Sequence, residues 1–150
     1  MSSGSDTPVE KKSLKGQCLC GSVRIEASEC DAHYHACHCT MCQKWSGGPG
    51  LSVLAGNVVY QGEEHIRSYS SSDYAERGFC SNCGSNLFWR MKDGSMTLMS
   101  VGIFDDQTGL NLGGEIYIDH KPAGYDFAGD HSRMTEREFL ISIGAIPAGA

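Results

Sequence analysis

Seven of the eight cysteines fall into three short groups whose spacing is suited to metal binding. The groups are Cys18-Leu19-Cys20-Gly21, Cys37-His38-Cys39-Thr40-Met41-Cys42 and Cys80-Ser81-Asn82-Cys83-Gly84, and Cys30 stands alone. Thiolates separated by one or two residues can reach the same ion when the chain turns sharply between them. A glycine follows the first and third groups and suits such a turn, because glycine adopts positive φ freely.

The first and third groups together could form a closed metal site. Zinc prefers four ligands in a tetrahedron, so Cys18, Cys20, Cys80 and Cys83 predict a structural zinc that joins distant parts of the chain. The simpler interpretation is that these cysteines are reduced and pack as small apolar residues. The paired spacing favours zinc.

The central group predicts a different kind of site. Cys37, Cys39 and Cys42 offer three thiolates, and three protein ligands leave a coordination position for water or substrate. In an alternative interpretation, His35, His38 or Cys30 completes the site, and in another no metal binds. A further grouping would join Cys80 and Cys83 to the central cysteines. We prefer the first grouping because it gives one complete tetrahedron and one open one.

The elements that must position these cysteines are mostly short strands. Alternating apolar residues predict strands at Val23–Ala27, and short apolar runs predict others. Two of these runs, Leu51–Leu54 and Val58–Tyr60, flank a predicted hairpin turn at Ala55-Gly56-Asn57. Another two, Asn86–Met91 and Met96–Phe104, flank a predicted turn at 92–95. Single strands are predicted at Ile66–Tyr69 and, as the last strand, at Glu115–Ile118. Thr135 and Glu138 form a capping box that predicts a short C-terminal helix through Ile143. The fold class is therefore mainly β.

Bulk composition limits the possible functions. The 150 residues suit one domain, which we place at 14–134 between a flexible leader at 1–13 and a helix and tail at 135–150. The net charge of −6 argues against a nucleic-acid surface. No apolar run is long enough to span a membrane, and no secretory signal is evident, so we expect a cytoplasmic protein whose cysteines bind metal rather than form disulfides. The sequence itself sets no oligomeric state.

The three cysteine groups in their wider context resemble a known family. The segments CLCG at 18–21, CHCTMCQKWSG at 37–47 and GFCSNCGSNLFW at 78–89 are similar to the glutathione-dependent formaldehyde-activating enzymes, a family that includes centromere protein V. The similarity runs from Leu14 to Phe127 and includes YSSSD at 69–73, VGIFDD at 101–106 and IYIDHKPAGYD at 116–126. Family members often have an aromatic residue where this chain has Gly124, and here the aromatic is Tyr125.

The resemblance implies a β-tent fold of antiparallel sheets held by zinc. It also implies two zinc ions per chain, a structural one on Cys18, Cys20, Cys80 and Cys83 and a labile, catalytic one on Cys37, Cys39 and Cys42. The implied substrates are glutathione, or a similar thiol, and a small electrophile such as formaldehyde, which combine to S-hydroxymethylglutathione. No family ligand position corresponds to Cys30.

Three functions from different classes remain open at this point. The first is a carbon–sulfur lyase, and the second is a non-enzymatic binding module that zinc stabilises. The third is a thiol-redox protein that uses Cys39 and Cys42, although no βαβ pattern surrounds them. Lys44, Arg77 and Arg90 are weaker candidates for contacts with the carboxylates of glutathione.

An open central site makes its metal the more easily removed of the two. We expect the purified protein to hold about two zinc ions per chain and excess glutathione to lower this to about one. Elemental analysis after gel filtration, with and without the thiol, measures the change. A metal content that the thiol leaves unaltered would contradict a labile central ion.

Overall fold

The computed structural model describes residues 11–149, and these form a mainly β protein with two short helices. Ten strands occur in this part of the chain. They are β1 (Lys11–Gln17), β2 (Arg24–Asp31), β3 (His33–Cys37), β4 (Gly50–Gln61), β5 (Ile66–Ser70), β6 (Ala75–Cys80), β7 (Asn86–Met91), β8 (Thr97–Ser100), β9 (Asn111–Ile116) and β10 (Ser132–Met134). The helices are α1 (Thr40–Ser46) and α2 (Glu136–Ser142).

The chain divides into two compact units. In the first, residues 11–33 and 52–110, the strands follow the order β1-β2-β4-β8-β7-β6-β5, and every neighbouring pair is antiparallel. The long strand β4 is shared, because residues 52–54 pair with β8 while residues 55–61 pair with β2. The core of this unit is apolar and contains Val23, Ile25, Val53, Leu87, Phe88 and Met99.

The second unit comprises residues 34–51 and 111–149. Here β3 is hydrogen-bonded to β9, and β9 pairs with β10 in parallel. Neither α1 nor α2 contains a buried residue. The interior is instead unusually polar, since the side chains of His38 and Glu115 are fully buried.

Several predicted elements are confirmed. Val23, Ile25 and Ala27 are buried on one face of the predicted strand region, and a turn at 92–95 joins β7 to β8. The capping box is present, with the Thr135 hydroxyl accepting from the Glu138 N–H and the Glu138 carboxylate accepting from the Thr135 N–H.

The predicted hairpin turn at Ala55-Gly56-Asn57 is wrong, because β4 runs without interruption through these residues. Gly56 pairs with Glu29 and Ala55 pairs with Cys30, so β2 supplies the hydrogen-bonding edge that keeps the segment extended. Asn57 does take a positive φ of 50°, and its amide donates to the Glu29 carboxylate. The turn-like residues therefore mark a local irregularity within a strand rather than its end.

Other boundaries also differ from the prediction. The strand predicted at 115–118 spans 111–116, and it is not the last, since β10 follows it. The parallel pairing of β10 with β9 also means that the sheets are not wholly antiparallel. After Ser100 the chain enters a 3₁₀ turn, so β8 ends before the predicted Phe104.

The predicted leader and tail are described only in part. β1 begins at Lys11, so the last three residues of the leader predicted at 1–13 are strand. The rest of that leader and the final residue of the tail lie outside the described residues. No helix between residues 11 and 149 has the length and apolar character to cross a bilayer. The cytoplasmic location stays a prediction.

A close contact between β6 and β7 gives a test of this packing. A Cβ added at Gly78 would lie 2.2 Å from Cζ of Phe88, a ring that is itself buried. We expect Gly78→Ala to lower the free energy of unfolding by about 1–3 kcal/mol through overpacking, although alanine normally stabilises a strand relative to glycine. Urea unfolding at fixed metal content measures the change.

Gly102→Ala is the matched control, since a Cβ there meets no atom within 4 Å. We expect it to be neutral or slightly stabilising. Equal stabilities for the two variants would contradict the packing of Phe88 over Gly78.

Candidate metal centres

The cysteines of the first and third groups meet in one four-sulfur cluster. The Sγ atoms of Cys18, Cys20, Cys80 and Cys83 all lie within 4.8 Å of one another. The Cys18–Cys20 and Cys20–Cys80 sulfur pairs are 3.6 and 3.8 Å apart. Four sulfurs bound tetrahedrally at about 2.3 Å from zinc would be roughly 3.8 Å apart, so the cluster fits that ion.

Two similar loops bring these sulfurs together. In each loop the first cysteine N–H donates to the carbonyl five residues later, from Cys18 to Val23 and from Cys80 to Ser85, both at 3.0 Å. A glycine with φ near +82° turns each chain within its loop, Gly21 in one and Gly84 in the other. The sequence pattern of cysteine pairs followed by glycine therefore corresponds to a real backbone turn.

Polar neighbours favour the ionised form of two of these thiols. Hydrogen bonds with the Ser22 hydroxyl and then the Asn82 amide lower the pKa of Cys20 to about 7. The hydrogen bond with the Ser85 hydroxyl lowers the pKa of Cys83 to about 5. Because thiolate is the form that binds metals, these contacts suit a metal-binding role.

The central cysteines form a second, smaller cluster in the other unit. Cys37 ends β3, Cys39 is the N-cap residue of α1, and Cys42 lies in the first turn of that helix. Their three Sγ atoms lie within 4.8 Å of one another, and the Cys42 N–H donates to Cys39 Sγ at 3.3 Å. The strand end and the helix start therefore direct all three thiols to one point.

Among the described residues 11–149, no histidine, fourth cysteine or carboxylate joins this trio. His38, one of the candidates for a fourth ligand, uses both ring nitrogens elsewhere: Nε2 is 2.7 Å from Glu115 Oε1, and Nδ1 is 3.2 Å from the Tyr125 hydroxyl. Cys30, another candidate, belongs to neither cluster and has its Sγ 3.8 Å from the Ala27 carbonyl oxygen. No disulfide joins the eight cysteines, all of which lie in the described range.

The short contacts within the trio divide its protons unequally. Hydrogen bonds with Cys37 and then Cys42 lower the pKa of Cys39 far below that of an ordinary thiol. The Cys37–Cys39 hydrogen bond raises the pKa of Cys37 for the same reason, because Cys37 is the donor that stabilises its neighbour's charge. The trio therefore consists of one thiolate that accepts hydrogen bonds from two thiols. A divalent cation that binds sulfur could displace the two thiol protons and be held by all three sulfurs.

Beside the trio, Glu115 is the centre of a buried polar network. Its carboxylate accepts from His38 Nε2, from His131 Nε2 at 2.6 Å and from Arg133 Nε at 3.1 Å, and the side chain is only 1% exposed. Burial works to raise the pKa of Glu115, but the hydrogen bonds of His131 and His38 and the charge of Arg133 outweigh it. The net effect is a lowered pKa, so the buried carboxyl is ionised at neutral pH.

Comparison with known proteins agrees with the cysteine pattern. The family model of the glutathione-dependent formaldehyde-activating enzymes matches residues 13–120. The chain belongs to this family. An uncharacterized lyase of Schizosaccharomyces pombe is 30% identical over 131 residues, which cover 86% of this chain and 96% of that protein.

One further sequence relative and one solved structure are similar to this family member. A Halomonas elongata protein, provisionally named a glutathione-dependent formaldehyde-activating enzyme, is 34% identical over 85 residues, or 50% of this chain and 54% of that protein. A Rhodobacter sphaeroides protein of known crystal structure has a similar fold, with a TM-score of 0.52 and 20% identity, covering 80% of this chain and 99% of that one. The names of the sequence relatives are those of lyases and formaldehyde-activating enzymes.

In this family member, the residue after the cysteine trio has a structural contact that the sequence did not indicate. Gln43 Nε2 donates to the carbonyl oxygens of His38 at 2.7 Å and His120 at 3.1 Å. His120 in turn is paired with Glu136 at 2.9 Å, and Asp119 accepts from the Glu136 N–H. Gln43 therefore ties the cysteine loop to the turn at 118–120, which in turn contacts the start of α2.

Sequence reasoning missed Glu115 and the residues that surround it. Glu115 was assigned only as the start of a strand, and His131 and Arg133 lie in a segment without any recognised motif. The available signal was His38 itself, since a histidine fixed between two metal ligands needs partners for both ring nitrogens. Of the weaker candidates, Lys44 is exposed, Arg90 is paired with Glu76 at 2.7 Å, and Arg77 is buried.

Gly50 gives a test of the second cluster, because a Cβ there would lie 3.2 Å from Cys42 Sγ. We expect Gly50→Ala to displace this sulfur and weaken metal binding at the trio by about ten-fold, the lower end of the range for changes beside a ligand. Competition with a chromophoric chelator measures each affinity.

Gly48→Ala, in the same segment, is the control, since a Cβ there meets no atom within 4 Å. It should bind both metals as the unchanged protein does. A Gly50→Ala protein with unchanged affinity at the trio would show that Cys42 does not need its present position to bind metal.

Proposed function

We propose that this protein is a zinc-dependent carbon–sulfur lyase that combines a thiol such as glutathione with a small aldehyde such as formaldehyde, and cleaves the adduct in the reverse direction. One observation supports this above the others, the contrast between a cluster of four sulfurs and a cluster of three. We assign a structural zinc to Cys18, Cys20, Cys80 and Cys83, and a second, labile zinc to Cys37, Cys39 and Cys42. The long shared strand β4 is consistent with a β-tent fold.

The reaction needs a thiolate at neutral pH. A free thiol with a pKa near 8.5 is mostly protonated at pH 7. When bound, zinc would supply the charge that keeps a coordinated thiol ionised. Cys37, Cys39 and Cys42 would hold that ion with three thiolates, which leaves one position for the substrate sulfur.

The chemical balance of the addition is simple. A carbon–sulfur bond forms between the thiol and the carbonyl carbon, the carbonyl π bond breaks, and the proton of the thiol ends on the oxygen. Nothing is oxidised or reduced, and the reverse reaction breaks the same carbon–sulfur bond. The role of the chain is to hold the thiol ionised and close to the aldehyde, so that the gain comes chiefly from proximity and ionisation.

Three thiolate ligands favour thiol binding over carbonyl activation. Their negative charge weakens the Lewis acidity of the ion they hold, and strong Lewis acidity is what polarisation of a carbonyl oxygen would require. The site is therefore proposed to bind the sulfur of the substrate rather than the oxygen of the aldehyde.

One pair of variants separates the roles of the two clusters. We expect Cys39→Ser to reduce catalysed adduct formation to the background rate while the free energy of unfolding falls by less than about 1 kcal/mol. Cys83→Ser should instead lower that free energy by several kcal/mol, because structural metal binding contributes directly to folding. Exchange spectroscopy with ¹³C-formaldehyde and glutathione measures the rate, and urea unfolding measures the stability.

Equal destabilisation by Cys39→Ser and Cys83→Ser would contradict the proposal. It would favour the alternative that the protein is a non-enzymatic binding module in which both metals only stabilise the fold. Full metal loading with no dependence on thiol in any aldehyde assay would also contradict the lyase function.

A further inference from the structure

We propose that Glu115 is a positioning residue of the three-cysteine site, and that it acts through His38 on the peptide that joins Cys37 to Cys39. The inference rests on the proposed function in one respect, because it takes these cysteines as metal ligands. It assigns a purpose to a buried charged network that the reaction itself does not use.

The first support is the environment of the Glu115 carboxylate. An ionised carboxylate in a protein interior is costly unless each oxygen is hydrogen-bonded and the charge is balanced. Here Oε1 accepts from His38, and Oε2 accepts from His131 and Arg133. Arg133 is held in turn by the carbonyl oxygens of Phe127 and Gly129, so the whole arrangement is built rather than incidental.

The second support is the number of points at which His38 is held. Its backbone N–H donates to the Ile116 carbonyl oxygen at 3.1 Å, and its own carbonyl oxygen accepts from Gln43 at 2.7 Å. Because Ile116 follows Glu115 in β9, the same strand holds both the backbone and the ring of His38. The directions of the two flanking cysteine side chains depend on the torsions of this residue.

The third support is the direction of the hydrogen bonds on the ring. An ionised carboxylate can only accept, so His38 Nε2 must carry the proton and donate to Glu115. Nδ1 is 3.2 Å from the Tyr125 hydroxyl, so both ring nitrogens have a partner. Tyr125 and Phe127 also contact the ring, with centroid separations of 6.1 and 6.0 Å, so the imidazole has one orientation.

The four-sulfur cluster lacks such an arrangement within the described residues. Its sulfurs contact Ser22, Asn82, Ser85 and the Val23 N–H directly. Loss of the Glu115 charge should therefore affect the trio selectively, whereas general destabilisation would weaken both clusters. This selectivity distinguishes a positioning role from a merely structural one.

The primary test is the affinity of each metal in the full-length Glu115→Gln protein, measured by chelator competition with Zn²⁺. We expect the second site to bind its ion about 10-fold more weakly, the lower end of the range for partners of a ligand, because Glu115 acts through His38, and the first site to be unchanged. Glu26→Gln is the control, since Glu26 also pairs with a cationic side chain, Lys15 at 3.5 Å, and is expected to leave both affinities unchanged. Unchanged affinity at the trio, or equal loss at both sites, would overturn the proposal.

A double-mutant cycle tests whether Glu115 acts through His38. His38→Phe removes the hydrogen bonds of the ring, so adding Glu115→Gln to it should cause little further loss at the second site. Fully additive losses would overturn the proposal.

If Glu115→Gln does not fold, His38→Gln and His38→Phe are compared instead. Only the glutamine side chain can still donate to Glu115, so the His38→Gln protein should bind the second ion more tightly than the His38→Phe protein. Equal loss in the two would count against the proposal.

These measurements need neither a thiol nor an aldehyde, so they can succeed where the lyase function fails. If the unaltered protein binds only one zinc, the proposed function fails, and hydrogen exchange still tests the positioning. Amide exchange at 37–43 in the full chain should then be faster in Glu115→Gln than in the unaltered protein, with exchange at 80–84 unchanged. Identical exchange at 37–43 would overturn the inference.

Discussion

The four-sulfur cluster is the constraint on which the first unit depends. Cys18 follows β1 and Cys80 ends β6, and these strands are far apart in the order β1-β2-β4-β8-β7-β6-β5. β1 and β6 do not pair with each other, but the sulfurs of Cys18 and Cys80 belong to one cluster whose four Sγ atoms lie within 4.8 Å of one another. An ion at this point would join two strands that strand pairing leaves separate, and its binding energy would add to the stability of the unit.

The second unit is organised around buried polar side chains rather than an apolar core. It has little apolar interior, and its best-buried large side chains are His38 and Glu115. Polar groups specify geometry because their hydrogen bonds are directional, and they are costly when any partner is missing. A loop with three thiols pointing to one place is thus held by a network that tolerates few alternative arrangements. This is consistent with a site in which an ion exchanges one ligand while the other three stay fixed.

The sequence allowed the paired cysteine motifs, the first alternating strand and the capped C-terminal helix to be predicted, because each depends on short-range chemistry. Cysteine spacing, burial on alternate residues and the Thr135–Glu138 pair are all visible within a few positions. The turn predicted at Ala55-Gly56-Asn57 failed because its residues have turn propensity, whereas pairing with β2 keeps them extended. The Glu115 network was missed because its partners are separated by up to 77 residues, and only the pairing of β9 with its neighbours brings them together.

The two clusters differ in the number of sulfurs that they offer to an ion, and zinc K-edge absorption on the two-zinc protein measures this difference. Without a thiol, we expect an average of about 3.5 sulfurs per zinc at about 2.3 Å, the remainder being a lighter oxygen or nitrogen ligand. An amount of glutathione that leaves both zinc ions bound should raise the average to about four, since the substrate sulfur fills the remaining position. Four sulfurs per zinc before any thiol is added, or an average that glutathione leaves unchanged, would show that the three-cysteine site has no open position for a thiol.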